Sequence, residues 1–144
     1  LEEQMKRREE NAAHLSRMLR QVGGVEPQRP HEGVTRHAYH LYIFRYRREE
    51  FRSLPRSRFI EALRAEGIPA SPGYEPLHRA PAITGYRVPG LHTDYSGVSL
   101  PVTERACGEE GVWLTQNVLL GTRGDMEDIA SAIRKIGDNV SELL

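Results

Sequence analysis

The sequence lacks several things that would otherwise decide its chemistry. Its one cysteine, Cys107, cannot form an internal disulfide, which suits a reducing, cytoplasmic setting. The glutamates around Cys107 disfavour the thiolate and so argue against a nucleophilic role. Charge of either sign is not in excess, with 20 Lys plus Arg against 20 Asp plus Glu, so there is no electrostatic case for nucleic acid or an anionic membrane as partner. No run of about 18 apolar residues is present, which excludes a transmembrane helix readable from hydropathy. Lysine is scarce: Lys6 and Lys135 both fall on charged faces of predicted terminal helices, without the desolvated setting that would depress an amine for Schiff-base work. Neither Gly23-Gly24 nor the pair Gly121 and Gly124 has the spacing of a phosphate-binding fingerprint, and there is no G-x-S-x-G or H-E-x-x-H.

What is present reads as one domain, since 144 residues can bury one core of their own. His37 to Tyr46 is rich in aromatic and β-branched residues. As a strand it puts Tyr39, Leu41 and Ile43 on one face and Tyr42, Phe44 and Tyr46 on the other, which predicts a central position. A helix follows from Pro55, with Phe59, Ile60 and Leu63 on one face and Gly67 as its stop, and Ile68 to Ser71 returns as a second strand. Before this unit, Leu1 to Val22 spaces Met5, Ala12, Leu15, Leu19 and Val22 as an amphipathic helix ended by Gly23-Gly24, and Val25 to Thr35 reads as an extended linker. After it, Thr103 is the expected N-cap of a short helix over Glu104 to Glu110, and Val112 to Thr115 is a third strand. Thr122 and Asp125 suit a capping box that opens a last helix with the stripe Met126, Ile129, Ile133, Ile136 and Val140. The order predicts an α+β domain, a small three-stranded, mostly antiparallel sheet covered by helices.

Between Pro72 and Pro101 the chain carries prolines 72, 76, 81, 89 and 101 with Tyr74, Tyr86 and Tyr95. A loop this long in a compact domain is either functional or disordered, and the aromatics argue against disorder. Within it, Tyr74, His78 and Arg79 bring a phenol, an imidazole and a guanidinium into one small region. Each could equally make a local surface hydrogen bond. His37 and His40, three apart on a strand, point to opposite faces, so no metal site is expected there.

Five segments together carry a family resemblance: NAAHLSRML from Asn11, HAYHLYIFRY from His37, FIEALRAEGIPASPGYEPLHRAP from Phe59, LPVTERACGEEGVWL from Leu100 and DMEDIASAIRKI from Asp125. In this order they closely resemble the C-terminal small domain of the DegT/DnrJ/StrS family, pyridoxal-phosphate aminotransferases that aminate nucleotide-linked keto-sugars or keto-cyclitols. The resemblance implies the small domain of the aspartate-aminotransferase fold. Residues 1–24 would be a connecting helix from a large domain not contained in this chain, and residues 25–144 the small domain itself. In the family, the large domain supplies the Schiff-base lysine, the acidic partner of the pyridine nitrogen and most phosphate contacts. The chain alone is therefore expected to hold no catalytic, cofactor-binding or metal-binding residue and to be inactive. Its implied partners are the large domain, a second subunit in a homodimeric parent, a keto-sugar or keto-cyclitol, and glutamate or glutamine as amino donor. Tyr74, His78 and Arg79 are the implied substrate-binding residues. The competing expectation is a free-standing α+β binding or regulatory module that kept the scaffold without the chemistry.

Overall fold

In a computed structural model of the chain, residues 1–85, 94–95 and 97–144 are described; Tyr86, Pro89 and Gly90 of the long loop lie outside them. Helix α1, Glu2–Val22, buries Ala12, Leu15 and Leu19 on one side, as its spacing predicts. Asn11 lies in the same stripe and is buried too, because its Nδ2 donates to the carbonyls of Leu119 (3.0 Å) and Gly121 (2.9 Å). Gly23 and Gly24 end the helix with φ of 79° and 69°, in the left-handed region that glycine adopts without steric cost.

The chain then enters a strand where the sequence suggests a linker. Strand β1, Val25–Pro27, pairs antiparallel with β2, Leu41–Tyr46, so the sheet has four strands where periodicity identifies three. A three-residue edge strand ending in proline is too short to show alternation, and an edge is where proline is tolerated. Strand β2 is central as expected, but it starts at Leu41. Tyr39 sits at φ 45°, and its backbone N–H donates to His37 Nδ1 at 2.9 Å, so the chain turns before the ladder begins.

Helix α2, Arg56–Ala65, starts after Pro55 and stops at Gly67, φ 84°. Strand β3, Ala70–Ser71, follows, and then a single-turn helix α3, Pro81–Thr84. Helix α4, Pro101–Arg105, continues into one π-helical turn, Ala106–Glu110. Here the expected cap is displaced. Thr103 is inside the helix, because Pro101 supplies the first helical position and Leu100 stands at the N-cap without a side-chain bond. Strand β4, Gly111–Thr115, pairs with β2 on one side and β3 on the other, giving the all-antiparallel order β1-β2-β4-β3.

Helix α5, Arg123–Asp138, closes the domain against α1 and α2. It opens on the predicted capping box: Asp125 N–H donates to Thr122 Oγ1 (3.2 Å) while Thr122 N–H donates to Asp125 Oδ2 (2.6 Å). Backbone and hydroxyl donors from Thr122 hold the Asp125 carboxyl below its ordinary range.

All three long helices share one core with one face of the sheet. Tyr42, Phe44 and Tyr46 from β2 and Val112 and Leu114 from β4 are buried there with Leu15, Leu19, Phe59, Leu63, Met126 and Ile133. The two buried phenols keep partners: Tyr42 Oη lies 2.8 Å from Ser16 Oγ on α1, and Tyr46 Oη donates to the Leu54 carbonyl at 2.8 Å. Burial pushes the Tyr42 phenol up to about 12. The opposite face of β2, with Leu41, Ile43 and Arg45, is half-buried and carries no helix of the core. No helix among the described residues is long and apolar enough to cross a membrane.

Leu19 is fully buried. Leu19→Ala is expected to cost about 2–5 kcal/mol in urea unfolding, through lost transfer energy and the cavity left behind. Thr122→Ala, at an exposed cap, should cost about 0.5–2 kcal/mol.

Candidate functional site

The loop that follows β3 is fixed at its start by α2. Arg56 Nη1 donates to the carbonyls of Pro72 (3.0 Å) and Gly111 (2.8 Å), tying the loop to the first residue of β4. Gly73, at φ 83°, then turns against the face of Trp113, so close that a Cβ there would stand 2.6 Å from the indole Cε2. Tyr74, 71% exposed, sets its ring edge-on to the same indole, with centroids 4.6 Å apart and planes at 89°.

Pro76 leads into a 3₁₀ turn, Leu77–Arg79, which turns His78 inward and leaves Leu77 and Arg79 facing out. The His78 side chain is 7% exposed, and its Nε2 lies 3.0 Å from Glu104 Oε1 on α4. Arg79 Nη2 pairs with the other oxygen, Glu104 Oε2, at 2.7 Å. The backbone N–H of Leu100 also donates to Oε1, at 3.1 Å. Both oxygens of one carboxylate thus receive donors from the loop, from the helix entry and from a guanidinium. The Leu100 N–H foremost, then the His78 ring and the Arg79 charge, hold the Glu104 carboxyl below the usual range. His78 Nδ1 is shielded from solvent and has no hydrogen-bond partner among the described residues, a state that costs roughly 1–3 kcal/mol for a buried polar atom.

Of the three residues singled out in the sequence, His78 and Arg79 meet on Glu104, whereas Tyr74 docks separately on Trp113. Glu104 is the residue that sequence reasoning missed. It lies 26 positions from His78 and looks like an ordinary first-turn acid of a short helix, so only the folded chain shows which side chains it gathers.

A cleft of about 660 Å³ lies elsewhere, between the end of α1 and the outer sheet face, lined by Arg20, Gly24, Ile43, Arg45, Glu110 and Gly111. Within it Arg45 pairs with Glu110, which Arg105 also reaches at 3.0 Å. The lysines do not fit a covalently held aldehyde cofactor. Lys6 is 76% exposed beside Glu10 at 3.8 Å, and Lys135 is 63% exposed on Glu66 at 2.8 Å, so neither amine is desolvated. The ring nitrogen Nδ1 of His37 accepts from Tyr39, and His40 is exposed on a bend, not on a strand. Among the described residues no three His, Cys, Asp or Glu side chains gather as metal ligands would.

Nearly the whole chain is similar to known aminotransferases. A profile of the DegT/DnrJ/EryC1/StrS aminotransferase family matches residues 1–134. An L-glutamine:2-deoxy-scyllo-inosose aminotransferase of Streptoalloteichus tenebrarius is 35% identical over 152 residues, covering 99% of this chain and 35% of that protein. An L-glutamine:scyllo-inosose aminotransferase of Streptomyces griseus is 33% identical, again over 99% of this chain and 35% of its own length. The crystal structure of 3-amino-5-hydroxybenzoic acid synthase superposes with a TM-score of 0.75 at 27% identity, covering 99% of this chain and 35% of the other. The chain therefore spans about a third of the length of these relatives.

Two measurements test the site's construction. Gly73→Ala should shift the fluorescence of Trp113, the one tryptophan, because neither the φ nor the indole contact tolerates a methyl group. The depressed Glu104 carboxyl contributes stability that is fully present above the ordinary glutamate value of about 4.3 and is lost as pH falls through its lower folded value. Urea stability of the wild type should therefore drop more steeply than that of Glu104→Gln below about pH 4.3. Parallel curves would show that the carboxylate contributes nothing to folding.

Proposed function

Because the chain belongs to the DegT/DnrJ/EryC1/StrS aminotransferase family, we propose that it is the C-terminal small domain of a pyridoxal-phosphate aminotransferase that moves an amino group from glutamine or glutamate to a keto-cyclitol or keto-sugar. The observation that carries this reading is the match of almost the whole chain to about a third of two glutamine:cyclitol aminotransferases. In this proposal residues 1–24 connect to a large domain and residues 25–144 form the small domain. The parent is a cytoplasmic homodimer.

Pyridoxal phosphate, when bound, supplies the electron sink for amino transfer. It would be held by the large domain, since Lys6 and Lys135 are exposed and ion-paired on helix surfaces. The chain's own residues bind and orient. Tyr74 is presented on the Trp113 indole, and His78 and Arg79 are fixed through Glu104, so a substrate meets side chains whose rotamers are already set. The prolines at 72, 76 and 81 restrict the loop before anything binds. Separated from the large domain, the chain would not catalyse transamination.

Borohydride reduction of the folded 144-residue chain with pyridoxal phosphate is expected to leave both lysines without stoichiometric label; one fully labelled lysine would contradict the assignment of the cofactor to the large domain. In the holoenzyme, His78→Ala or Arg79→Ala should lower kcat/KM by about 1–3 kcal/mol with the absorbance of bound cofactor unchanged. No change in kcat/KM from either substitution, or loss of cofactor, would remove the loop from substrate binding.

A further inference from the structure

A second cleft, of about 390 Å³, runs along α2 where the helix meets the loop after β3 and the π-helical turn. Three guanidiniums line it, those of Arg48, Arg56 and Arg64. Each is anchored by one nitrogen on a backbone carbonyl: Arg48 Nε donates to Ser53 (2.7 Å), Arg56 Nη1 to Pro72 (3.0 Å) and Arg64 Nε to Ala70 (2.9 Å). Ala70 and Pro72 are two residues apart where the chain leaves β3, roughly 7 Å, so Arg56 and Arg64 bring their charged ends together although their backbones stand about two helical turns apart. A carbonyl fixes the plane of a guanidinium but leaves its charge unmet. Arg36, Arg45, Arg47 and Arg58 each pair with a carboxylate, whereas Arg48, Arg56 and Arg64 have none within ion-pair distance among the described residues. Glu61 also lines the cleft but is met by Arg58 at 3.0 Å, which leaves exposed Glu109 to face three cations. Burial holds the Arg56 guanidinium below its ordinary value, against the weaker pull of Cys107 and Glu109, so an anion beside it would relieve a cost that the chain leaves standing.

We propose that this cleft binds a phosphate group, free or carried by a small molecule as a monoester, between the unanchored edges of Arg56 and Arg64, with Arg48 as the third contact. A phosphate monoester at neutral pH brings about 1.5 to 2 negative charges and three acceptor oxygens, which suits three fixed guanidiniums better than a single carboxylate does. The first-turn N–H groups of Ser57 and Arg58 add donors, since Pro55 stands at the N-cap of α2 without a side-chain bond. Pro55 and Pro72, both exposed, give the body of an ester apolar contact at the rim. The described lining has no histidine, lysine or cysteine, so the cleft is equipped to hold a ligand and not to react with it. It is built wholly from this chain and does not depend on the aminotransferase reading.

The 144-residue chain is titrated with inorganic phosphate and with glycerol 3-phosphate, ionic strength being held constant with chloride, and followed by amide proton–nitrogen spectra. Saturable binding is expected, with shifts centred on Ser57, Arg58 and Arg64. Tighter binding of glycerol 3-phosphate would make the ester the form held, and equal or tighter binding of inorganic phosphate would make it the free ion; either supports the site. Arg48→Gln and Arg64→Gln, both at exposed positions, should each weaken binding about ten- to a hundredfold. Arg64→Lys, which keeps the charge and loses the planar fork, should also weaken it. Arg29→Gln removes the same charge beside the cleft at the end of α1 and should leave the affinity within about twofold. Unchanged amide positions for the core strand residues Phe44 and Leu114 show that each variant is folded. No saturable binding, shifts centred on Arg29, or equal losses from Arg29→Gln and Arg64→Gln would overturn the proposal.

Discussion

The five-residue antiparallel pairing of β2 with β4, from Leu41 opposite Thr115 to Arg45 opposite Gly111, fixes both the core and the candidate site. Side chains on a strand alternate, so this one register assigns every residue of the pair to a face. Phe44 and Tyr42 meet Val112 and Leu114 inside, and Ile43 meets Trp113 outside. A slip by one residue would turn Trp113 into the core and remove the platform on which Gly73 and Tyr74 rest. The core in this way decides where the loop can dock, and the loop decides where His78 faces.

Polar groups inside the domain are otherwise well matched. Asn11 spends its amide on two carbonyls, and Tyr42 and Tyr46 each bond across to another element. Arg8 and Arg45 leave Nε without a partner, but each has another guanidinium nitrogen in a contact. The open nitrogen of His78 differs because nothing else on the ring can turn to satisfy it once Nε2 is committed to Glu104. Natural chains carry such locally unsatisfied groups chiefly where binding or chemistry requires them.

What the sequence made legible was local. The α1 stripe, the α5 stripe from Met126 to Ile136, the Thr122 to Asp125 capping box, the Pro55 to Gly67 helix and the central strand all depend on residues within a turn or two of one another, and all are present, whereas Val140, expected on the same helix, is buried from the 3₁₀ turn that follows it. The errors have local causes as well. Strand β1 is three residues long and ends in Pro27, the first strand loses four residues to the turn at Tyr39, and Pro101 outcompetes Thr103 for the start of α4. The site was only half visible. Tyr74, His78 and Arg79 stood out by type and proximity, but their division between Trp113 and Glu104 depends on contacts between distant segments, which no spacing rule encodes.

Asn11 reaches Leu119 across 108 positions, and α1 finds its cover on α5, while β4 must insert between two strands made long before it. A topology of this kind folds late. Loop closure must be paid before the distant contacts return anything, so folding is slow for a domain of this size. During synthesis the stripe of Leu15 and Leu19 leaves the ribosome well ahead of Ile133 and Ile136. For that interval the nascent helix is an uncovered amphipathic surface, a natural client for a chaperone until the last helix arrives.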